Sequence, residues 1–217
     1  MASPAALRDR PMRRVTLLAV GLVAFGVSNA MLLRAGLGVG PWDVLHQGLS
    51  RSFGLAVGTW VVIVSAVVLL AWIPLRQRPG VGTLANAVLV GLVINLVMAL
   101  TTPAQSRGLQ VGLLVGGVLL NAVATGAYIG AGLGPGPRDG LTTGLAARGW
   151  PIRVVRTVIE VCVLAVGWLL GGTVGVGTLL FALTIGPLTH LTIPWLSMDA
   201  RHAGAPRRGR TRPARAG

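Results

Sequence analysis

No lysine occurs in this 217-residue chain; all 19 of its basic residues are arginine. Acids are scarce too, five in all, so the formal net charge is +14. Only 11% of the residues are charged against 53% hydrophobic, and the mean hydropathy is +0.75. A soluble domain cannot hide that much apolar surface. A single cysteine, Cys162, excludes an intrachain disulfide and a cysteine-based metal site. It lies in an apolar run, where an inert packing role is expected. The sequence also lacks an ATP-binding loop, an HExxH motif, a cluster of metal ligands and a plausible Ser/His/Asp set. Nothing in it points to an enzyme, to a metal or to a cofactor.

What remains is apolar and long. Six segments approach or reach the ~20 residues that cross ~30 Å of hydrocarbon: Val15–Leu33, Ala56–Pro74, Gly82–Thr101, Leu109–Ile129, Ile152–Leu170 and Gly175–Leu196. The chain reads as all-α, a polytopic helical membrane protein. Ten arginines lie in the two ends: Arg8, Arg10, Arg13 and Arg14, then Arg201, Arg207, Arg208, Arg210, Arg212 and Arg215. Beside a bilayer they are expected to meet anionic lipid headgroups of the cytoplasmic leaflet, and not nucleic acid.

The chain repeats itself. Ala35–Leu49 (AGLGVGPWDVLHQGL) recurs as Ala131–Leu145 (AGLGPGPRDGLTTGL) with ten identities at an offset of 96, and GVGTL at Gly80–Leu84 recurs at Gly175–Leu179 with an offset of 95. Two matches in the same order indicate a tandem duplication of about 95 residues. The organisation that follows is a basic tail over 1–14, a first repeat over 15–107, a second over 108–197 and a basic tail over 198–217, both tails cytoplasmic and the second disordered. The first apolar segment has the flanks of a signal peptide, ending in Ser28-Asn29-Ala30. Its counterpart Leu109–Ile129 is internal and cannot be cleaved, so the segment is expected to stay.

Each repeat carries three apolar segments, with the Gly-Pro-Asp motif between the first and second. The stretch after the motif, such as Pro41–Arg51, is too short to span, and is expected to re-enter or to lie at the interface. Six crossings with both basic ends inside give an inverted second repeat, the arrangement of many secondary transporters. Should the motif helices also span, the repeats would be parallel instead. Rows of glycine at spacing four, Gly126-Gly130-Gly134, Gly136-Gly140-Gly144 and Gly167-Gly171-Gly175, let helix backbones approach closely. Pairing within one chain is their simpler use; a homo-oligomer or another membrane protein is the alternative partner.

Within the motif, Gly38, Gly40, Gly134 and Gly136 break the preceding structure, and Pro41 and Pro137 suit the first position of a new helix. Asp43 and Asp139 then fall in the first turn. There they either cap their own helices or, at a helix end lining a cavity, take up a proton or a cation. The copies differ beside them, Trp42 against Arg138 and His46 against Thr142. Glu160 lies roughly 12 Å into its segment at 1.5 Å per residue, four residues after Arg156. An acid at that depth marks either a pathway or a static ion pair. Asn95 and His190 hold equivalent places in the third segments, as a shared lining or as interhelical hydrogen-bonders. The candidate substrate, ion or proton site is therefore Asp43, His46, Arg138, Asp139 and Glu160.

GLGVGPWDVLHQGL, GTWVVIVSAVVLL, WIPLRQRPGVGTL, GLGPGPRDGL and GWLLGGTVGVGTLLFALTIGPL together resemble the YczE/YyaS/YitT family of bacterial integral membrane proteins, most of all its YczE-like branch. The likeness covers roughly Val15–Leu191. It implies a multi-helix fold in a bacterial plasma membrane, and it brings no substrate and no residue roles with it. The functional expectation is a small secondary transporter or permease-like protein for an unknown small solute or ion. The alternative is a non-transporting membrane scaffold that modulates another membrane protein.

Overall fold

The computed structural model describes residues 10–197, and the tails outside them, with all but Arg10, Arg13 and Arg14 of their arginines, lie beyond the described residues. Among the described residues eight helices follow one another: α1 (Pro11–Ala35), α2 (Pro41–Phe53), α3 (Val57–Trp72), α4 (Val81–Leu100), α5 (Arg107–Gly130), α6 (Pro137–Ala146), α7 (Ile152–Leu169) and α8 (Val176–Leu196). No strand occurs among the described residues. Four helices, α1, α4, α5 and α8, are long and apolar enough to cross a bilayer, and α2 with α3 makes a fifth crossing if the 113° bend between them is a broken span. Four or five of the six expected crossings therefore meet the test of length and composition. Helix α3 has only 16 residues, about 24 Å at 1.5 Å per residue, and α7 carries Arg153, Arg156 and Glu160.

Helix α1 begins at Pro11, four residues before the expected boundary, because proline suits a helix start and Arg14 belongs to the core. Arg14 is 1% exposed and donates from Nη1 to the Ala131 carbonyl at 2.9 Å. It is a tie between the halves.

In lipid the hydrophobic effect between helices is absent, so backbone proximity and hydrogen bonds hold them together. Helices α1 and α5 form the broadest contact, and α4 and α8 flank them on α1 and α5 respectively. Gly21 on α1 sits against the backbone of Tyr128, and Gly117 on α5 against Leu32. A polar latch crosses the same contact: Asn121 donates to Ser28 Oγ at 3.0 Å and to Asn29 Oδ1 at 2.8 Å.

The short helices are exchanged between the halves. Helix α2 packs on α7, through Gly48 and Gly167, while α6 packs on α3, where a Cβ at Gly140 would run into the Trp72 ring. Two hydrogen bonds repeat this exchange: Gly82 N–H donates to the Leu133 carbonyl at 2.9 Å and Gly177 N–H to that of Leu37 at 2.8 Å. The chain ends of the short helices are tied in the same way, Arg51 to the Gly171 carbonyl and Thr173 Oγ1, Arg148 to the Pro74 carbonyl. The glycine rows serve contacts inside the chain, Gly126 on Thr192, Gly130 on Leu196 and Gly144 on Leu75 and Gln77.

Candidate functional site

Two left-handed glycines aim the short helices. Gly38 (φ +104°) and Gly134 (φ +130°) hold conformations that a side chain rarely adopts. Each also lies too close to the other half for a Cβ, Gly38 against Gly175 N and Thr178 Oγ1, Gly134 against Thr83 Oγ1. Gly40 and Gly136 then take almost the same extended conformation, and Pro41 and Pro137 open their helices. Trp72 Nε1 donates to the Pro137 carbonyl at 3.1 Å, fixing the start of α6, and Phe181 of α8 closes over Gly40.

The second residues of these helices, Trp42 and Arg138, are 96 apart in sequence and meet across the molecule: the Arg138 guanidinium carbon stands 5.0 Å from the centre of the Trp42 ring, within cation–π range. Arg138 Nη2 is also 4.0 Å from Asp43 Oδ1, and His46 Nδ1 is 3.4 Å from the same oxygen, one turn along α2. Asp43 and His46 are 4% and 1% exposed, while the Arg138 side chain retains 26%. Asp139 accepts a 3.0 Å hydrogen bond from the Tyr128 hydroxyl, whose ring stacks edge-on against Phe25. Asp139, Tyr128 and the Asn86 amide all surround Gly136. Among the described residues neither aspartate accepts from a backbone N–H, so their partners are side chains and they do not act as hydrogen-bonding caps.

Four of the five expected site residues thus lie at the facing N-termini of α2 and α6. Asp43, His46 and Arg138 make one cluster, and Asp139 is the residue beside Arg138. Glu160 does not join them. It bonds Arg156 Nε at 2.9 Å along α7, with side-chain exposures of 37% and 59%. Asn95 does not line the site either: it accepts from Gly58 N–H at 2.8 Å and donates to Thr59 Oγ1 at 3.0 Å, fastening α4 to α3. His190 is exposed on α8, and Cys162 is exposed on α7 and not packed as expected. Both side chains stand on faces that no helix among the described residues covers.

Sequence reasoning missed Tyr128 and Asn86, and took Trp42 only as the counterpart of Arg138. The one legible signal was that Tyr128 is the only tyrosine of the chain, a polar-tipped ring in an apolar segment.

Chemically, Asp43 faces one guanidinium and one imidazole, while Asp139 faces a phenol hydroxyl. Both helix N-termini add positive dipole ends beside the carboxylates. A groove of about 400 Å³ lies elsewhere, between α5 and α8, lined by residues such as Val115, Leu119, Leu183 and Pro187 and by no member of the cluster.

Over residues 12–194 the sequence matches a family described as "Family of unknown function (DUF6198)". It is 35% identical to an uncharacterised protein of Haemophilus influenzae over 82% of each chain. It is also 35% identical to the uncharacterised membrane protein YczE of Bacillus subtilis, over 87% of this chain and 89% of YczE. The uncharacterised protein YyaS of the same organism is 29% identical over 81% of this chain and 90% of its own. The resemblance read from the motifs is borne out by these relatives. No solved structure matches.

Proposed function

We propose, for a chain that belongs to the DUF6198 family of unknown function, the role of a small secondary transporter whose site lies between two inverted halves of one duplicated unit. The observation that carries this reading is the junction of residues 42 and 138, equivalent positions that meet at the facing starts of α2 and α6 and bring Arg138 to the buried Asp43. An ionisable cluster at membrane depth is costly unless it is used, and such clusters serve ion and proton pathways. Irregular backbone, here the Leu37–Gly40 and Leu133–Gly136 turns, is tolerated at that depth only against protein or a wet cavity. The paired bonds from Gly82 and Gly177 support the duplication. This reading requires α3 and α7 to cross as well, which gives three crossings per half, both ends in the cytoplasm and the second half upside down.

Asp43 and His46 then carry the exchangeable proton or cation, and Arg138 sets the charge of the occupied and empty states. Asp139 with Tyr128 forms the second half's share of the site. Counting Asp139, the site holds two carboxylates and one guanidinium, which favours a proton, a cation or a zwitterion over an anion. A thermal-shift screen of purified protein against a panel of such solutes tests this, run on wild type, Asp43→Asn and Asp139→Asn. The reading requires a solute that stabilises wild type and fails on Asp43→Asn. Equal stabilisation of all three by every active solute contradicts it.

A second reading, a scaffold that modulates another membrane protein, is favoured by one observation: the cluster is nearly sealed, while the open groove between α5 and α8 is apolar. Such a groove would seat an apolar helix. Water access separates the two. In a Cys162→Ala background, His46→Cys reacts with a small hydrophilic thiol reagent if the chain transports, and stays inert if the cluster is only a buried pin.

A further inference from the structure

The two halves differ most at one seam. In the first half, α3 and α4 are tightly joined: Gly58 and Gly91 meet backbone to backbone, Val62 lies over Gly91, and Asn95 binds both Gly58 N–H and Thr59 Oγ1. The equivalent helices of the second half, α7 and α8, barely touch. The equivalent positions there are Val154, Val155, Val158, Gly186 and His190. Gly186 is the counterpart of Gly91 and is also glycine, yet nothing stands within 4 Å of the Cβ it lacks. A glycine in mid-helix costs helix stability relative to alanine, and here it gains no contact in return. Val154 and Val158 are 48% and 54% exposed, and His190 is exposed as well. The Gly58 N–H is one of the free donors at a helix start and is satisfied by Asn95, whereas the Val154 N–H, also in a first turn, has no acceptor among the backbone bonds.

We infer that the α7–α8 seam is the open member of a pair of alternating gates: in a second state Val154 seats on Gly186, His190 accepts from the Val154 N–H, and the α3–α4 seam opens in its turn. This inference rests on the inverted-halves reading, because only inversion makes the two seams face opposite sides of the membrane. The described state is then one of two, and the closed α7–α8 seam is wider than α3–α4, because a Cβ at Gly58 would run into the Gly91 carbonyl oxygen and its counterpart Val154 carries one. Pro187 beside Gly186 removes a backbone donor from α8 and supplies the bend. The short helices α2 and α6 stay docked on α7 and α3, so each seam's movement is transmitted to the start of the other half's motif helix, where the charged cluster lies.

Paired cysteines in a Cys162→Ala background test the gate without any solute. Thr59→Cys with Asn95→Cys marks the closed seam, and Val154→Cys with Gly186→Cys marks the open one. Each pair is expected to cross-link alone, and a protein carrying all four is expected to form either bond but never both in one molecule. Failure of the second pair to cross-link, or both bonds in one molecule, overturns the gate. A variant that avoids the paired substitutions gives an independent reading: a single Val158→Cys should react more slowly with a thiol reagent when Gly186 is present than in Gly186→Trp, where the ring holds the seam apart. Equal rates overturn the proposal. If the two bonds exclude each other but no solute shifts their balance, the gate stands and the transport reading fails. If a solute response depends on Asp43 while both bonds coexist, transport stands and the gate fails.

Discussion

The contact between Asp43 and Arg138 joins the halves at the cluster, and its energy can be isolated. The oxygen and nitrogen are 4.0 Å apart, a separation at which two unit charges attract by about 4 kcal/mol at an effective dielectric of 20. Asp43 is almost fully buried while a quarter of the Arg138 side chain reaches solvent, so screening and the long separation bring the expected coupling down to about 1–2 kcal/mol. A double-mutant cycle measures it: wild type, Asp43→Asn, Arg138→Gln and the pair, each unfolded under one reversible condition in mild detergent. Asp43→Asn should cost more than Asp139→Asn. The asparagine at 139 still accepts from the Tyr128 hydroxyl, whereas the one at 43 leaves a guanidinium without its counter-charge. The double variant should recover part of the loss. If the two single effects simply add, or if both aspartates tolerate asparagine equally at less than about 1 kcal/mol as simple helix caps would, the charged junction is an accident of proximity.

Three further outcomes follow from the geometry. Glu160→Gln should lower stability by only about 0.5 kcal/mol, the scale of an exposed i,i+4 pair, so a melting loss of several kcal/mol would place Glu160 in a buried network. Asn95→Ala should destabilise by about 1–3 kcal/mol, since Gly58 N–H and Thr59 lose their partner inside the α3–α4 seam, while His190→Ala on the open seam should leave the melt almost unchanged; equal losses would contradict the asymmetry. Single cysteines at Ser52 and Ser106, again without Cys162, should react with an impermeant thiol reagent on intact cells and one at Gln77 should not. Labelling at Gln77 would overturn the orientation.

The motif glycines, prolines and aspartates were legible because their constraints are local: a proline at a helix start and a break before it need no knowledge of the partner. The repeat was legible because fifteen residues align without a gap. The exchange of the short helices was not, since α2 on α7 and α6 on α3 depend on contacts about 100 residues apart, and apolar helices carry no periodic mark of which neighbour they choose. Tyr128 shows the same limit. It aligns with Leu32 in the other copy, and its bond to Asp139 arises only because the Ala131–Gly136 turn brings the first turn of α6 to the end of α5. Glu160 was placed by depth alone, whereas its direction is set by the rotation of α7 about its axis. That rotation follows from Gly167 docking on Val44 and Leu45, which sequence spacing does not encode. Arg14 was counted with the tail because its neighbours are basic, yet its partner is the Ala131 carbonyl in the second half.

Proton movement in sealed proteoliposomes tests the transport claim most directly. Wild-type protein reconstituted with an internal pH dye, and challenged with cationic and zwitterionic solutes, should give a solute-dependent pH change for at least one of them. That change should vanish in Asp43→Asn while the variant keeps its fold. If a solute crosses with unchanged proton movement in Asp43→Asn, or if none crosses in wild type while purified protein binds a membrane-protein partner through the α5–α8 groove, the central site is not a transport site.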